Sequence, residues 1–274
     1  MMLPADGHVH SEWSWDAARG SMRQTCERAV ELGLPAVAFT EHADYTPWFV
    51  RPDELDDYLQ QFVGADANVV SPELDLDGYR ESLQRCRDEF PTLRILSGVE
   101  LGEPHRHPEV VARLLAAGQF DRVLASVHML PAGDRFAEPP NLYLDRPAAA
   151  VIRDYLAEID QLLATCDTFT VLAHLDYPLR YWPAGAGPFD PYAFEEEFRR
   201  TLRSLAGRVL EVNTAGPLHP ELVRWWREEG GDAVSIGSDA HEPAELARRF
   251  AEAAALVEAH GFRPGRHAHD LWTV

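Results

Sequence analysis

The 274-residue chain contains no lysine; all 25 of its basic residues are arginine. That absence removes the carboxylated-lysine bridge used by many metal-dependent amidohydrolases, although members of that class that use glutamate instead stay open. Positive charge as a whole is scarce. Against 45 acidic residues the formal net charge is −20, and so acidic a surface repels nucleic-acid backbones and anionic membranes. A polynucleotide partner is therefore disfavoured, and any phosphate group has to be captured locally by metal or arginine. Cysteine is equally sparse. Cys26, Cys86 and Cys166 are odd in number and far apart, in segments that read as helical or as a helix end, which suits ordinary thiols in a reducing compartment. No stretch of eighteen apolar residues occurs, and residues 1–6 lack a basic region followed by an apolar one. Neither a spanning helix nor a secretory leader is expected, and the reading is of a soluble, cytoplasmic protein. No Gly/Ser tract or charge block divides the chain, and no Gly-x-Ser-x-Gly nucleophile motif is present.

What the chain does have is strand-type runs alternating with helix-type patterns from end to end. Strands are predicted over 6–10, 36–42, 94–100, 122–129, 168–175, 208–213 and 233–238. Helices are predicted over 53–62 and 77–90, over 192–205 after Pro191, and over 244–259 after Pro243, the last two stopped by Gly207 and Gly261. Seven strand-then-helix repeats without a linker predict one α/β domain over 1–274, closed or nearly closed as a β/α barrel. The longest interval, between His42 and Glu100, has its expected rim excursion near Val69-Val70-Ser71-Pro72.

Metal-ligand residues cluster where these strands end. The segments read Asp6-Gly7-His8-Val9-His10, Glu41-His42, Ser126-Val127-His128, His174-Leu175-Asp176 and Gly237-Ser238-Asp239-Ala240-His241, and a further run ends in Glu100. Imidazole with carboxylate suits zinc, manganese or iron. Alternate residues of a strand share a face, so His8 and His10 can bind one ion together. The C-terminal ends of barrel strands are where β/α barrels build active sites, so distant segments would converge on one mouth. Taken singly, each histidine could equally be a core residue bonded to backbone. A second His-x-His, His267-Ala268-His269, follows Pro264-Gly265 without a strand pattern and reads as plain surface; His219 and His260 read as helix-end residues.

In order and context these motifs resemble the polymerase-and-histidinol-phosphatase (PHP) superfamily over nearly the whole chain. The resemblance implies a distorted seven-stranded TIM-like (β/α)7 barrel carrying three divalent ions. It assigns His8, His10, Glu100 and Asp239 to the first ion, and Glu100, as a bridge, with His128 and His174 to the second. Asp16, His42 and His241 go to the third; Asp16 also suits a helix cap for the chain from Ala17 onward. Within the superfamily the chain looks most like the monofunctional histidinol-phosphate phosphatases, through His10-Ser-Glu-Trp-Ser-Trp-Asp16, the long interval before Gly98-Val-Glu100, and Ala125-Ser-Val-His128. It departs at Leu101-Gly102-Glu103-Pro104, where relatives commonly carry an acidic or aromatic residue, which bears on substrate identity.

The expected chemistry is attack of metal-activated hydroxide on a phosphomonoester, with no protein nucleophile. Asp176 is a candidate acid for the leaving group, with orientation of a histidine as its alternative. Arg180, six residues past His174, is the candidate phosphate anchor, or else a surface arginine stacked on Tyr181 or Trp182. Glu12, Asp44 and Glu103 are candidates for a cationic amine, and His105 for substrate contact. Trp13, Trp15, Trp48 and Trp182 are expected to wall an imidazole-sized pocket, whereas Trp225 and Trp226 read as packing. The substrate expected from the resemblance is histidinol phosphate. Other phosphoesterases acting on nucleotides, short oligonucleotides or sugar phosphates compete with it, followed by a metal-dependent amidohydrolase and a non-catalytic scaffold.

Overall fold

Strand β1 (Asp6–Val9) pairs in parallel with β2 (Ala36–Asp44), and every residue of β2 is buried, as a barrel strand covered on both faces must be. The computed structural model describes residues 3–51, 59–64 and 66–274. Among these the main sheet continues in sequence order through β3 (Arg94–Gly102), β4 (Arg122–Ser126), β5 (Val171–Leu172), β6 (Val209–Asn213) and β7 (Ala233–Gly237). All of these neighbours are parallel. The sheet curls until its ends meet at the strand C-termini, where Asp239 N donates to His8 O at 2.8 Å and His10 N to Ala240 O at 2.9 Å. The expected seven parallel strands are therefore present.

An eighth strand was not expected. β8 (Trp272–Thr273) runs antiparallel on β7 and buries Trp272. Helices α1 (Met22–Leu32), α2 (Leu76–Glu89), α3 (Pro108–Gly118), α4 (Pro139–Tyr143), α5 (Ala148–Thr165), α6 (Glu195–Ser204), α7 (Pro220–Glu228) and α8 (Phe250–Ala259) fill the connections. α1 shows how sequence sets them: Ser21 Oγ accepts from Gln24 N, Gly33 closes the end at φ 70°, and Met22, Cys26 and Ala29 give one buried stripe. Trp225 and Trp226 are fully buried on α7, as expected for packing.

Three expectations change. The helix predicted over 53–62 lies mostly outside the described residues, and its end, Leu59–Phe62, is a 3-10 turn. The helix predicted over 192–205 begins as a 3-10 turn, Pro191–Phe194. The one predicted over 244–259 is broken: a 3-10 turn, Pro243–Glu245, precedes α8, and Ala247 and Arg249 between them both sit at φ 56°. Near the expected rim excursion, Asn68–Val69 pairs with Trp48–Phe49 in a small antiparallel ribbon beside the mouth. A second ribbon, Leu130–Ala132 with Arg135–Ala137, leads out of β4.

Candidate metal centre

The parallel strands bring side chains that are far apart in sequence to one end of the barrel. His8 and His10 leave β1 on the same face, with their Nε2 atoms 3.0 Å apart. Glu100 Oε2, near the end of β3, lies 3.1 Å from His8 Nε2 and 3.4 Å from His10 Nε2. Asp239 Oδ1, just past β7, lies 3.6 and 3.3 Å from the same two nitrogens. Ligand atoms about 2.0–2.1 Å from a tetrahedral ion are separated by about 3.3–3.4 Å, so these four atoms are spaced as the corners of a metal site.

The other oxygen of Glu100 turns to a second set. Oε1 is 2.8 Å from His174 Nε2 and 3.4 Å from His128 Nε2, and those two nitrogens are 3.4 Å apart. His42 also converges on Glu100, its Nδ1 3.4 Å from Oε2. A third set faces solvent: Asp16 Oδ2 lies 3.3 Å from His42 Nε2 and 3.1 Å from His241 Nε2, while the His10 ring stacks on both imidazoles. The structure thus gathers all nine residues that the resemblance assigned to metal, eight from the strand ends and Asp16 from the turn between β1 and α1.

Local backbone makes this convergence possible. Asp239 and His174 adopt φ of 54° and 21°, a region that costs a non-glycine residue about 1–3 kcal/mol and is found where a site over-determines it. Asp239 N is held by His8 O, and His174 N by Glu211 Oε2 at 2.8 Å. Gly237 has to lack a side chain, because a Cβ there would collide with Glu211 Oε1 and His8 Cβ. Gly102 stands in the same relation to the Asp44 carboxylate.

Glu211 on β6 was missed by the sequence reading. Its Oε1 takes His8 Nδ1 at 2.7 Å, and its Oε2 also accepts from Asn213. That bond leaves His8 Nε2 with a lone pair aimed at the ligand cluster. Ser14 does the same for His10, with Oγ 3.0 Å from Nδ1, and donates onward to the buried Glu41. Asp6 accepts from the amides of His8, Ser238 and Ala247, tying β1 to the β7 loop, and burial pushes its carboxyl up to about 6 against those bonds. The detectable signal for Glu211 was a glutamate between the apolar Leu210 and Val212 of a strand, since a buried carboxylate needs a partner.

The electrostatics call for cations. Burial disfavours charge on every group here, yet His8 is pushed well above its ordinary value by Glu211, Glu100 and Asp239. Burial likewise opposes charge on His42, but Asp16, Asp44 and Glu100 raise it to about 10; His241 rises to about 9, against burial, beside Asp16. Glu100, despite its burial, is held well below the usual carboxylate range by His8, His42 and His128. Left to the protein's own charges, the carboxylates would draw protons onto His8, His42, His128 and His241, while burial holds His10 and His174 below their ordinary value; a divalent ion answers the same demand.

Above the cluster lies a cavity of about 350 Å³, lined by Trp15, Trp48, Glu138, Tyr177, Arg180 and Tyr181 together with the outer ligand residues. Arg180 reaches into it, its guanidinium 2.7 Å from Asp239 Oδ2 and above the Tyr177 ring. Asp44 lines it as well, but its oxygens sit 3.2 Å from His42 Nδ1, 3.4 Å from His128 Nδ1 and 2.9 Å from Trp15 Nε1, so it orients imidazoles. The remaining candidates lie elsewhere. Glu12 accepts from Met22 N at the start of α1 and is exposed. Glu103 is buried and accepts from the amides of His128 and Met129, bracing the β4 exit. His105 bonds Glu158 on α5 at 2.7 Å. Asp176 lines a separate small pocket with His219 and Asn213. Trp13 packs against the α1–α2 core, and Trp182 against Phe189 and Phe194, so neither walls the cavity. His267 is exposed, as its surface reading required.

A parallel barrel with histidines and carboxylates converging at its strand C-termini defines a metal-site β/α barrel. The PHP domain model matches residues 6–215, and the chain belongs to that family. It is 29% identical to the "Probable histidinol-phosphatase" of Deinococcus radiodurans, over 96% of both chains. To the histidinol-phosphatase of Lactococcus lactis subsp. lactis it is 26% identical, over 99% of this chain and 94% of that one. The crystal structure of histidinol phosphate phosphatase from the same organism, complexed with zinc, L-histidinol and phosphate, superposes with a TM-score of 0.80 at 25% identity, covering 96% of this chain and 95% of that one.

Proposed function

We propose that this protein is a metal-dependent phosphomonoesterase that hydrolyses L-histidinol phosphate to L-histidinol and phosphate, a reaction of histidine biosynthesis. The observation that carries the reaction class is Glu100, whose two oxygens face two sets of imidazoles beneath a cavity that Arg180 enters. The substrate is named from full-length relatives called histidinol-phosphatase and from the Lactococcus complex. The cavity has the size of a small-molecule site.

In this reading His8, His10, Glu100 and Asp239 hold one ion, Glu100, His128 and His174 a second, and Asp16, His42 and His241 a third. Zinc, manganese and iron all suit these donors. Ions bound there supply a hydroxide nucleophile at neutral pH and neutralise the phosphate oxygens. The protein supplies position. Glu211 and Ser14 fix the His8 and His10 rings, Asp44 fixes His42 and His128, and Arg180 offers a planar set of donors to a phosphate.

The test is phosphate release from L-histidinol phosphate, nucleotide monophosphates and sugar monophosphates, with zinc, manganese or iron added. We expect kcat/KM for L-histidinol phosphate to exceed the others by at least about tenfold, or about 1.4 kcal/mol of discrimination. Equal or better turnover of a nucleotide or sugar phosphate would replace the substrate and leave the phosphoesterase site standing.

A further inference from the structure

Five of the carboxylates around the cavity have visible counter-charges. Asp16 faces His42 and His241, Asp44 faces His42 and His128, Asp239 faces Arg180 and His10, Glu245 pairs with Arg248, and Glu100 lies among the histidines below. Glu138 has none. Among the described residues it makes no ion pair, and its one side-chain bond is a long one, 3.4 Å, from the Tyr177 hydroxyl. Yet it lines the cavity half-buried, and the protein around it pushes its carboxyl up to about 7 by desolvation despite the nearby His128. A half-buried carboxylate without a charged partner carries part of the cost of desolvation, and a cation beside it removes that cost.

The backbone presents Glu138 to the cavity. It follows the Leu130–Ala132/Arg135–Ala137 ribbon and stands at the N-cap of α4, where a carboxylate ordinarily accepts from the first amides. Here the first two helical residues are Pro139 and Pro140, which have no N–H to give, and Glu138 makes no capping bond. Its side chain is left free for the cavity, between Tyr177 and the metal-facing residues. Tyr177 and Tyr181 meet edge-to-face beside it, and aromatic faces favour a cation at the same place.

We infer that Glu138 is the residue that recognises a positively charged amine on the substrate, and so selects amine-bearing phosphomonoesters over amine-free ones. None of the carboxylates first expected for that task takes it: Glu12 caps α1, Glu103 braces β4 and Asp44 holds imidazoles. The inference deepens the proposed function, since L-histidinol phosphate carries such an amine close to its phosphate ester. It is also independent of the imidazole and of that one substrate.

The experiment compares wild type with Glu138→Gln and Glu138→Asp, each loaded with the same metal and checked for equal metal content. Two substrate pairs are used: L-histidinol phosphate against 4-nitrophenyl phosphate, and phosphoethanolamine against ethyl phosphate. In Glu138→Gln the kcat/KM ratio of the amine-bearing to the amine-free substrate should fall at least about tenfold, carried mainly by KM, because one charge-assisted contact is lost. Glu138→Asp, which keeps the charge, should recover part of the ratio. Inhibition by L-histidinol should weaken in parallel. A ratio unchanged in Glu138→Gln, or an equal loss on both members of a pair, would overturn the inference by assigning Glu138 to structure or to the chemical step. If L-histidinol phosphate is not turned over but Glu138→Gln loses the wild type's preference for phosphoethanolamine over ethyl phosphate, the proposed substrate fails and the role of Glu138 stands.

Discussion

Two buried clusters in this protein combine histidine with glutamate, and they solve the problem of buried charge in opposite ways. On the outer side of the barrel, Glu158 accepts two bonds from the Arg106 guanidinium, both at 2.7 Å, and a third from His105, also at 2.7 Å. The cluster carries its own counter-ion, and its geometry is that of a closed bidentate pair. At the mouth, Glu100, Asp16, Asp44, Glu211 and Asp239 face imidazoles and a single guanidinium, that of Arg180, and imidazole nitrogens approach each other at 3.0 and 3.4 Å. Two nitrogens at that distance share either a proton or a metal. Burial of a His–Glu pair therefore says little about metal binding. What distinguishes a metal centre is the lack of a protein cation equal to its carboxylates.

The sharpest way to break this contrast is to remove the shared carboxylate. Glu100→Gln should lower kcat/KM by about a thousandfold or more, and metal analysis should show two ions weakened together. Loss of one ion only would end the idea that Glu100 serves two sets. Glu211→Gln should act through His8, costing about 10- to 100-fold in metal affinity, read by competition with a chelator. An affinity equal to wild type would mean that the His8 ring is oriented by something else. Arg180→Ala should weaken phosphate-bearing ligands by about 1.5–3 kcal/mol, seen in KM and in inhibition by inorganic phosphate. If neither constant moves, Arg180 serves only to hold Asp239.

Much of this mouth was legible because its ligands end strands in short motifs, and strand ends are where a parallel barrel places its side chains together. His8, His10, Glu100, His128, His174, Asp239 and His241 needed only that rule, with the family resemblance adding the grouping. The supporting residues were harder to see. Glu211 and Glu138 belong to no motif, and Glu41 stood in one only as the neighbour of His42; their roles depend on which strand or helix lies opposite, which spacing does not carry. His105 and Glu103 follow Glu100 in the chain and were expected at the mouth, but beyond β3 the chain turns toward α5, where Glu158 claims His105, and Glu103 turns back onto β4. β8 is two residues long and the break at Ala247 and Arg249 contains neither glycine nor proline, so neither had a local signature.

The smallest expected effect lies in the outer cluster, and its independence from metal is what makes it informative. Arg106 and His105 hold the Glu158 carboxyl below its ordinary value of 4.5 in spite of burial. An acid whose folded value is depressed contributes stability above its unfolded value, and loses that contribution as the pH falls through the folded one. Glu158→Gln should therefore destabilise the protein by about 1–3 kcal/mol near neutral pH, and the difference from wild type should shrink steadily below about pH 4.5. Urea unfolding of both proteins across that range measures it. Because Arg106 neutralises Glu158 without help, a chelator should lower the stability of wild type and variant by equal amounts, and kcat/KM should stay within about twofold of wild type. A variant whose stability deficit depended on added metal, or which lost activity in step with Glu100→Gln, would show that the two clusters are one coupled system.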